Sequence, residues 1–235
     1  YWQRGVFIVE NVETPWGAAK ASGATGMYRF DPRRHTFGFH APIGPNPHGI
    51  SFDYWGYHFA TDGTSGNPFQ VVPSPKGFEM RELFKKTVRP VPASGIVSSA
   101  QFPAENQQNF LICNVIGFLG IKQYRLERNP TNGLAVGVEV ENLVQSTDKN
   151  FRPSDFEFGA DGALYFADWH NMIIGHMQHN ARDPSRDHQH GRIYRMIATG
   201  RPLQAPVKIA GQPLPALLRN LEHPVDGIRY RTRIE

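Results

Sequence analysis

Short apolar runs, opened by glycine and closed by a polar residue, recur along the chain. Gly56-Tyr57-His58-Phe59-Ala60-Thr61-Asp62 and Gly162-Ala163-Leu164-Tyr165-Phe166-Ala167-Asp168 have the same length and the same ends. The stretch from Gly5 to Asn11 matches them in length, and Asn109-Phe110-Leu111-Ile112-Cys113-Asn114 closes in the same way. The closing residues Asn11, Asp62, Asn114 and Asp168 follow one another at 51, 52 and 54 residues. A strand carrying a Tyr-Arg pair comes after three of these runs, at Gly26–Phe30, Ile121–Leu126 and Gly191–Met196, with Phe69–Val72 in its place in the second unit. The pair alternates an inward and an outward side chain, as a strand requires. Gly49–Phe52, Gly95–Ser98 and Ser154–Phe158 predict preceding strands. Thr36–Ala41, Phe78–Phe84, Val138–Val144 and Pro206–Ala210 predict a fourth strand in each unit. Four short antiparallel strands repeating near every fifty residues describe a propeller blade. The expected fold is all-β, a partial β-propeller ring of about four blades of four antiparallel strands, the first blade lacking its first strand. In a sandwich or barrel the repetition would be fortuitous.

The pattern changes past residue 210. Leu217, Leu218 and Leu221 have helical spacing, His223-Pro224-Val225-Asp226 reads as a turn, and Ile228-Arg229-Tyr230-Arg231 opens a second helix. Residues 1–210 are therefore expected to form blades and 211–235 a short α-helical tail, read as the start of a HEAT-like repeat. A single such unit cannot bury its apolar face, so the tail either caps the propeller or begins a solenoid.

Composition narrows the function. Of 235 residues, 40% are hydrophobic and 20% charged, which excludes a disordered chain. No apolar run approaches the ~18 residues of a membrane-spanning helix. The net charge of +4 is small and dispersed, which argues against a nucleic-acid groove. The single cysteine, Cys113, excludes a disulfide framework, a cysteine zinc site and a covalent CxxCH haem site within the chain. It sits in an apolar run and reads as a buried, inert thiol. The opening residues read as a strand and not as a signal peptide, which suggests a start inside a larger protein.

The candidate chemistry lies at one rim. In a blade, the end of the second strand and the segment leading into the first open on the same face. That face would gather Asn11, Asp62, Asn114 and Asp168 with Asn46, His48, Ser94 and Arg152, either as a ligand site or as turn caps bonding local backbone. His48 is placed where a proton-abstracting base would stand, or is a plain loop residue. The 22-residue loop from Trp169 to His190 holds five of the ten histidines. His176 with His179, and His188 with His190, have spacings suited to metal ligation. Asp183, Arg186 and Asp187 allow a salt-bridged, self-structured loop instead.

The stretches 151–169, 174–179, 182–187 and 190–195, with Asn109–Phe118, Trp55-Gly56 and Thr61-Asp62-Gly63, resemble the propeller of planctomycete and verrucomicrobial membrane-bound-dehydrogenase-like proteins (the PVC-type haem-binding-domain proteins). The resemblance covers most of 1–210. Those proteins often continue into HEAT-like repeats and a cytochrome domain, and are more distantly similar to glucose/sorbosone dehydrogenases. The resemblance implies an exported, periplasmic or cell-surface oxidoreductase. Such a module would oxidise a sugar or related alcohol with pyrroloquinoline quinone and calcium and pass electrons to a cytochrome c domain outside this chain. His48 would be the catalytic base, Arg152 and Arg186 would hold the anionic quinone, Asp62 and Asp168 would lie near the cation, and Asn114 would join the cofactor site. Two other readings stand beside it: a non-catalytic propeller gripping a glycan or protein through the His-rich loop, and a metal-dependent lyase or hydrolase using the histidine cluster.

Overall fold

The computed structural model describes residues 1–5, 12–19, 25–44, 46–85, 91–172 and 183–235. Each sheet is an antiparallel meander taken in chain order. The first blade comprises β1 (Trp2–Arg4), β4 (Gly26–Asp31) and β5 (Thr36–Pro42) in the order β1-β4-β5, with a hairpin of β2 (Val12–Thr14) and β3 (Gly17–Ala19) between them in sequence. The second has β6 (Pro47–Phe52), β7 (His58–Asp62), β8 (Pro68–Ser74) and β9 (Gly77–Glu82). The third has β10 (Ser94–Ile96), β11 (Phe110–Asn114), β12 (Gly120–Arg128) and β13 (Ala135–Glu139), with β14 (Val144–Gln145) also on β12. The fourth has β15 (Pro153–Phe158), β16 (Leu164–Asp168) and β17 (Arg192–Met196). Four successive meanders packed side by side are blades of a partial β-propeller.

Burial explains why the second strands are continuously apolar. In β11, Phe110 and Ile112 face the second blade and pack with Phe59, Leu83 and Tyr124. Leu111 and Cys113 face the fourth blade and pack with Phe156, Leu164 and Phe166. Both faces of the strand are buried, so the period-2 alternation carries no polar half. The outer strand β9, in contrast, is largely exposed. The innermost strands β6 and β10 approach each other across the blade boundary. There Gly49, at φ +70°, leaves room for Ser94 and Thr61 that a Cβ would fill.

Two expectations need correction, and a third lies outside the described residues. Pro206–Ala210 forms no strand. The preceding segment is committed elsewhere: Gln204 N–H donates to Asp161 O at 2.8 Å, and Arg201 Nε donates to Gln101 O at 2.9 Å. It laces the third and fourth blades together, and Pro206 lacks the N–H a ladder needs. The fourth blade therefore has three strands. Val138–Val144 is two strands, β13 and β14, and not one. The first strand seen in the first blade is Trp2–Arg4, while 6–11, and with it Asn11, lies outside the described residues.

The tail comprises α1 (Leu214–Asn220) and α2 (Asp226–Ile234). Pro215 in the first turn of α1 suits a position where a missing N–H costs nothing. The pair docks on the face opposite the rim. Asp226 N–H donates to Ser98 Oγ at 2.8 Å, Val225 and Ile228 are buried, and the Arg229 guanidinium lies 4.2 Å over Tyr54.

Candidate functional site

The second strands of the second and fourth blades end in buried aspartates with the same duty. Asp62 accepts the Asn46 N–H through Oδ2 at 3.3 Å and the Ser65 N–H through Oδ1 at 2.8 Å. Asp168 Oδ1 accepts the N–H groups of Arg152 at 2.7 Å and His170 at 2.8 Å, while Oδ2 accepts Arg192 Nε at 2.7 Å. Each carboxylate ties the residue 16 positions earlier, just before the first strand, to the loop after the second. This is capping, generalised across a blade.

The mouth between the third and fourth blades is different. Asn114 is fully buried; its Nδ2 donates to Ile112 O at 3.2 Å, and its Oδ1 has no partner among the described residues. Arg152 is buried, and its terminal nitrogens donate to Phe151 O at 2.8 Å and Met172 O at 3.1 Å. Its Nε is buried without a partner among the described residues. Burial draws the guanidinium below its ordinary value, against the opposing pull of Asp168 and Asp148. His170, held at φ +52° by the Asp168 bond, buries an Nδ1 that also lacks a partner among the described residues. A buried polar atom left unbonded costs ~1–3 kcal/mol, and native structures fill such places with water or ligand. Arg152 and His170 are joined through one Asp168 oxygen, and Arg152 lines a depression of about 420 Å³ with Val115, Ile116, Gly117, Leu119 and Met172. Of these lining residues, Ile116 and Met172 are substantially exposed.

The remaining predicted residues disperse. His48 is exposed on β6, with Nδ1 3.3 Å from Pro92 O. A carbonyl only accepts, so Nδ1 carries the proton and Nε2 keeps its lone pair in the neutral ring. That is a base's tautomer, on the second blade, away from the depression between the third and fourth. Arg186 is buried, with its guanidinium 5.5 Å over the Trp169 ring. His190 Nδ1 lies 2.8 Å from Asp187, whose carboxyl is held low first by the Gln189 N–H and then by His190. His188 is exposed. His176 and His179 lie outside the described residues. Among the described residues no group of three or more His, Cys, Asp or Glu side chains is placed to hold a metal. Cys113 is fully buried, and burial pushes its thiol pKa up.

Among the described residues, these do not form a cradle for a quinone tricarboxylate and calcium. Arg152 is occupied by two backbone carbonyls, Asp62 is filled by backbone N–H groups, and Asp168 by backbone N–H groups and Arg192, on blades that do not adjoin. Sequence reasoning placed Arg152 and Asn114 at this mouth but missed Ile116 and Met172, which have no spacing signal.

A partial propeller with a largely apolar depression, edged by Arg152, at one blade boundary is thus the class the fold defines. Residues 86–200 match a family model described as a domain of unknown function, DUF7133. No curated protein matches the chain in sequence. Among solved structures, a luciferin-regenerating enzyme is similar, with a TM-score of 0.49 and 14% identity over 79% of this chain. The chain covers 55% of that protein's length.

Proposed function

We propose that this is a binding module that takes a polyhydroxylated small ligand, a sugar or polyol, at the mouth between the third and fourth blades. The observation that carries the reading is the trio of buried, unbonded atoms, Asn114 Oδ1, Arg152 Nε and His170 Nδ1. One accepts, one donates and one does either according to tautomer. A hydroxyl both donates and accepts, so the hydroxyls of a sugar match this mixed set in chemistry, whereas a purely anionic ligand leaves Asn114 Oδ1 facing another acceptor. Ile116 and Met172 offer apolar surface to the C–H face of such a ring.

Titration calorimetry with neutral monosaccharides and polyols tests this. Binding is expected, and Ile116→Asp, at an exposed position, should abolish it without lowering the melting temperature. No binding by any member, together with ordered water on all three atoms in a high-resolution crystal structure, overturns it. The oxidoreductase reading, with His48 as base, is tested in the same samples by dye reduction after adding pyrroloquinoline quinone and calcium. Turnover lost in His48→Ala would replace the binding reading with that one.

A further inference from the structure

On the face opposite the rim, the turn joining β6 to β7 presents three aromatic side chains within four residues. Tyr54, Trp55 and Tyr57 are 46%, 77% and 46% exposed. The turn is rigidly built. The buried Asp53 carboxylate accepts the N–H groups of Trp55 at 3.0 Å and Tyr57 at 2.8 Å through Oδ1, and Arg128 at 3.0 Å through Oδ2. Gly56 turns the chain at φ +82° and donates its N–H to Asp53 O at 2.9 Å. Tyr54 N–H donates to Gln108 Oε1. The Arg128 guanidinium lies 3.9 Å over the Tyr57 ring and that of Arg229 lies 4.2 Å over Tyr54. Of the three rings, the indole is the most exposed; it meets the Tyr54 ring edge to face at 4.8 Å, and among the described residues no cation lies over it. Beside it opens a depression of about 490 Å³ lined by Trp55, Tyr57, Arg128 and Gly133.

An indole so exposed contributes little to the core, yet the turn holds its backbone in one conformation. Fixing a binding surface in advance removes an ordering cost that a ligand would otherwise meet. The surface also selects a chemistry. Arg128 is paired with Asp53 and Arg229 with Asp226, so a phosphate or carboxylate finds no uncompensated cation here. A proline-rich peptide needs a groove of open rings, and both tyrosine rings carry guanidiniums. A neutral pyranose meets one open aromatic face with its axial C–H groups and meets the guanidinium edge with its hydroxyls.

We propose that Trp55, with Tyr57 and Arg128, is a platform for a neutral pyranose residue of a glycan, separate from the rim and independent of the reading given there. The test is indole Nε1–H spectroscopy of the full chain titrated with cellohexaose, maltohexaose and xylohexaose. The chain has four tryptophans, and Trp55→Phe assigns the resonance. At least one hexaose should shift the Trp55 signal, and Trp55→Ala should weaken that oligosaccharide's affinity at least ~10-fold. The side chain is too exposed for the variant to unfold the chain. The inference is overturned if no hexaose moves the Trp55 signal, or if affinity survives Trp55→Ala within about twofold. A shift of Trp169 alone would support the rim reading and overturn this one. A Trp55 response to a polyproline peptide or an oligonucleotide, with none to sugars, would also overturn it.

Discussion

The second strands of the second and third blades are built to the same length and buried throughout, yet they differ at both ends and in the middle. β7 runs His58-Phe59-Ala60-Thr61-Asp62 and β11 runs Phe110-Leu111-Ile112-Cys113-Asn114. Asp62 uses both oxygens, one for the Asn46 N–H across the blade and one for the Ser65 N–H in the turn that follows. Asn114 bonds only Ile112 O, two residues back in its own strand, and its oxygen is left buried and unbonded among the described residues. The lesson is that one carboxylate is enough to close a blade mouth, and that an amide in the same place leaves it open for something else. The fourth blade sides with the second: Asp168 binds two backbone N–H groups and a guanidinium.

The contrast has measurable consequences. The largest is for Asp168→Ala, which strands two backbone N–H groups and leaves the Arg192 guanidinium only its bond to Asp148; chemical denaturation should show a loss of about 3 kcal/mol or more. A loss below ~1 kcal/mol would mean that the cap is dispensable.

Next comes the opposite end of β7. Burial first, and then the neighbouring His40, lower the His58 pKa to about 4, from the ordinary 6.5. His40 Nε2 lies 3.3 Å from His58 Nδ1. The folded state therefore takes its proton later than the unfolded state. The contribution is complete above pH 6.5 and is lost as pH falls from there toward 4, by up to about 3 kcal/mol. His58→Phe gives β7 the residue that opens β11 and should flatten the stability–pH curve in that window. An unchanged slope would assign the pH dependence to other groups.

Asn114→Ala should cost about 1 kcal/mol or less, because one hydrogen bond is lost while an unbonded oxygen is removed with it. A cost equal to that of Asp168→Ala would erase the distinction between the mouths. The smallest effect concerns Cys113, where the third blade has sulfur and the second has Thr61. A thiol reagent should leave the native chain unlabelled and react fully once the chain is unfolded in denaturant. Rapid native labelling would show that the strand is not buried on both faces.

Much of the architecture is readable from the chain alone, and the reason is local. Glycine openings, apolar runs and polar ends mark where strands start and stop, so Asp62, Asn114 and Asp168 are legible in the sequence as strand ends. What those ends do is not local. The partners of Asp168 come from 16 residues earlier and 24 residues later, and nothing in the spacing distinguishes a carboxylate filled by such partners from one open to a cation. The missing fourth strand of the last blade has the same origin, since Gln204 and Arg201 are drawn away by contacts with Asp161 and Gln101. The Trp55 surface has no such marker, since nothing in the spacing of Tyr54, Trp55 and Tyr57 reports that Asp53 fixes the turn by accepting the Trp55 and Tyr57 N–H groups.

The account turns on whether the mouth between the third and fourth blades is a ligand site. The Arg152 Nε–H resonance, followed by side-chain nitrogen NMR while a binding monosaccharide is added, reports on it directly. The prediction is a saturable shift with slowed solvent exchange, absent in Ile116→Asp. A resonance that stays fixed while calorimetry registers binding would place the ligand elsewhere and contradict the account.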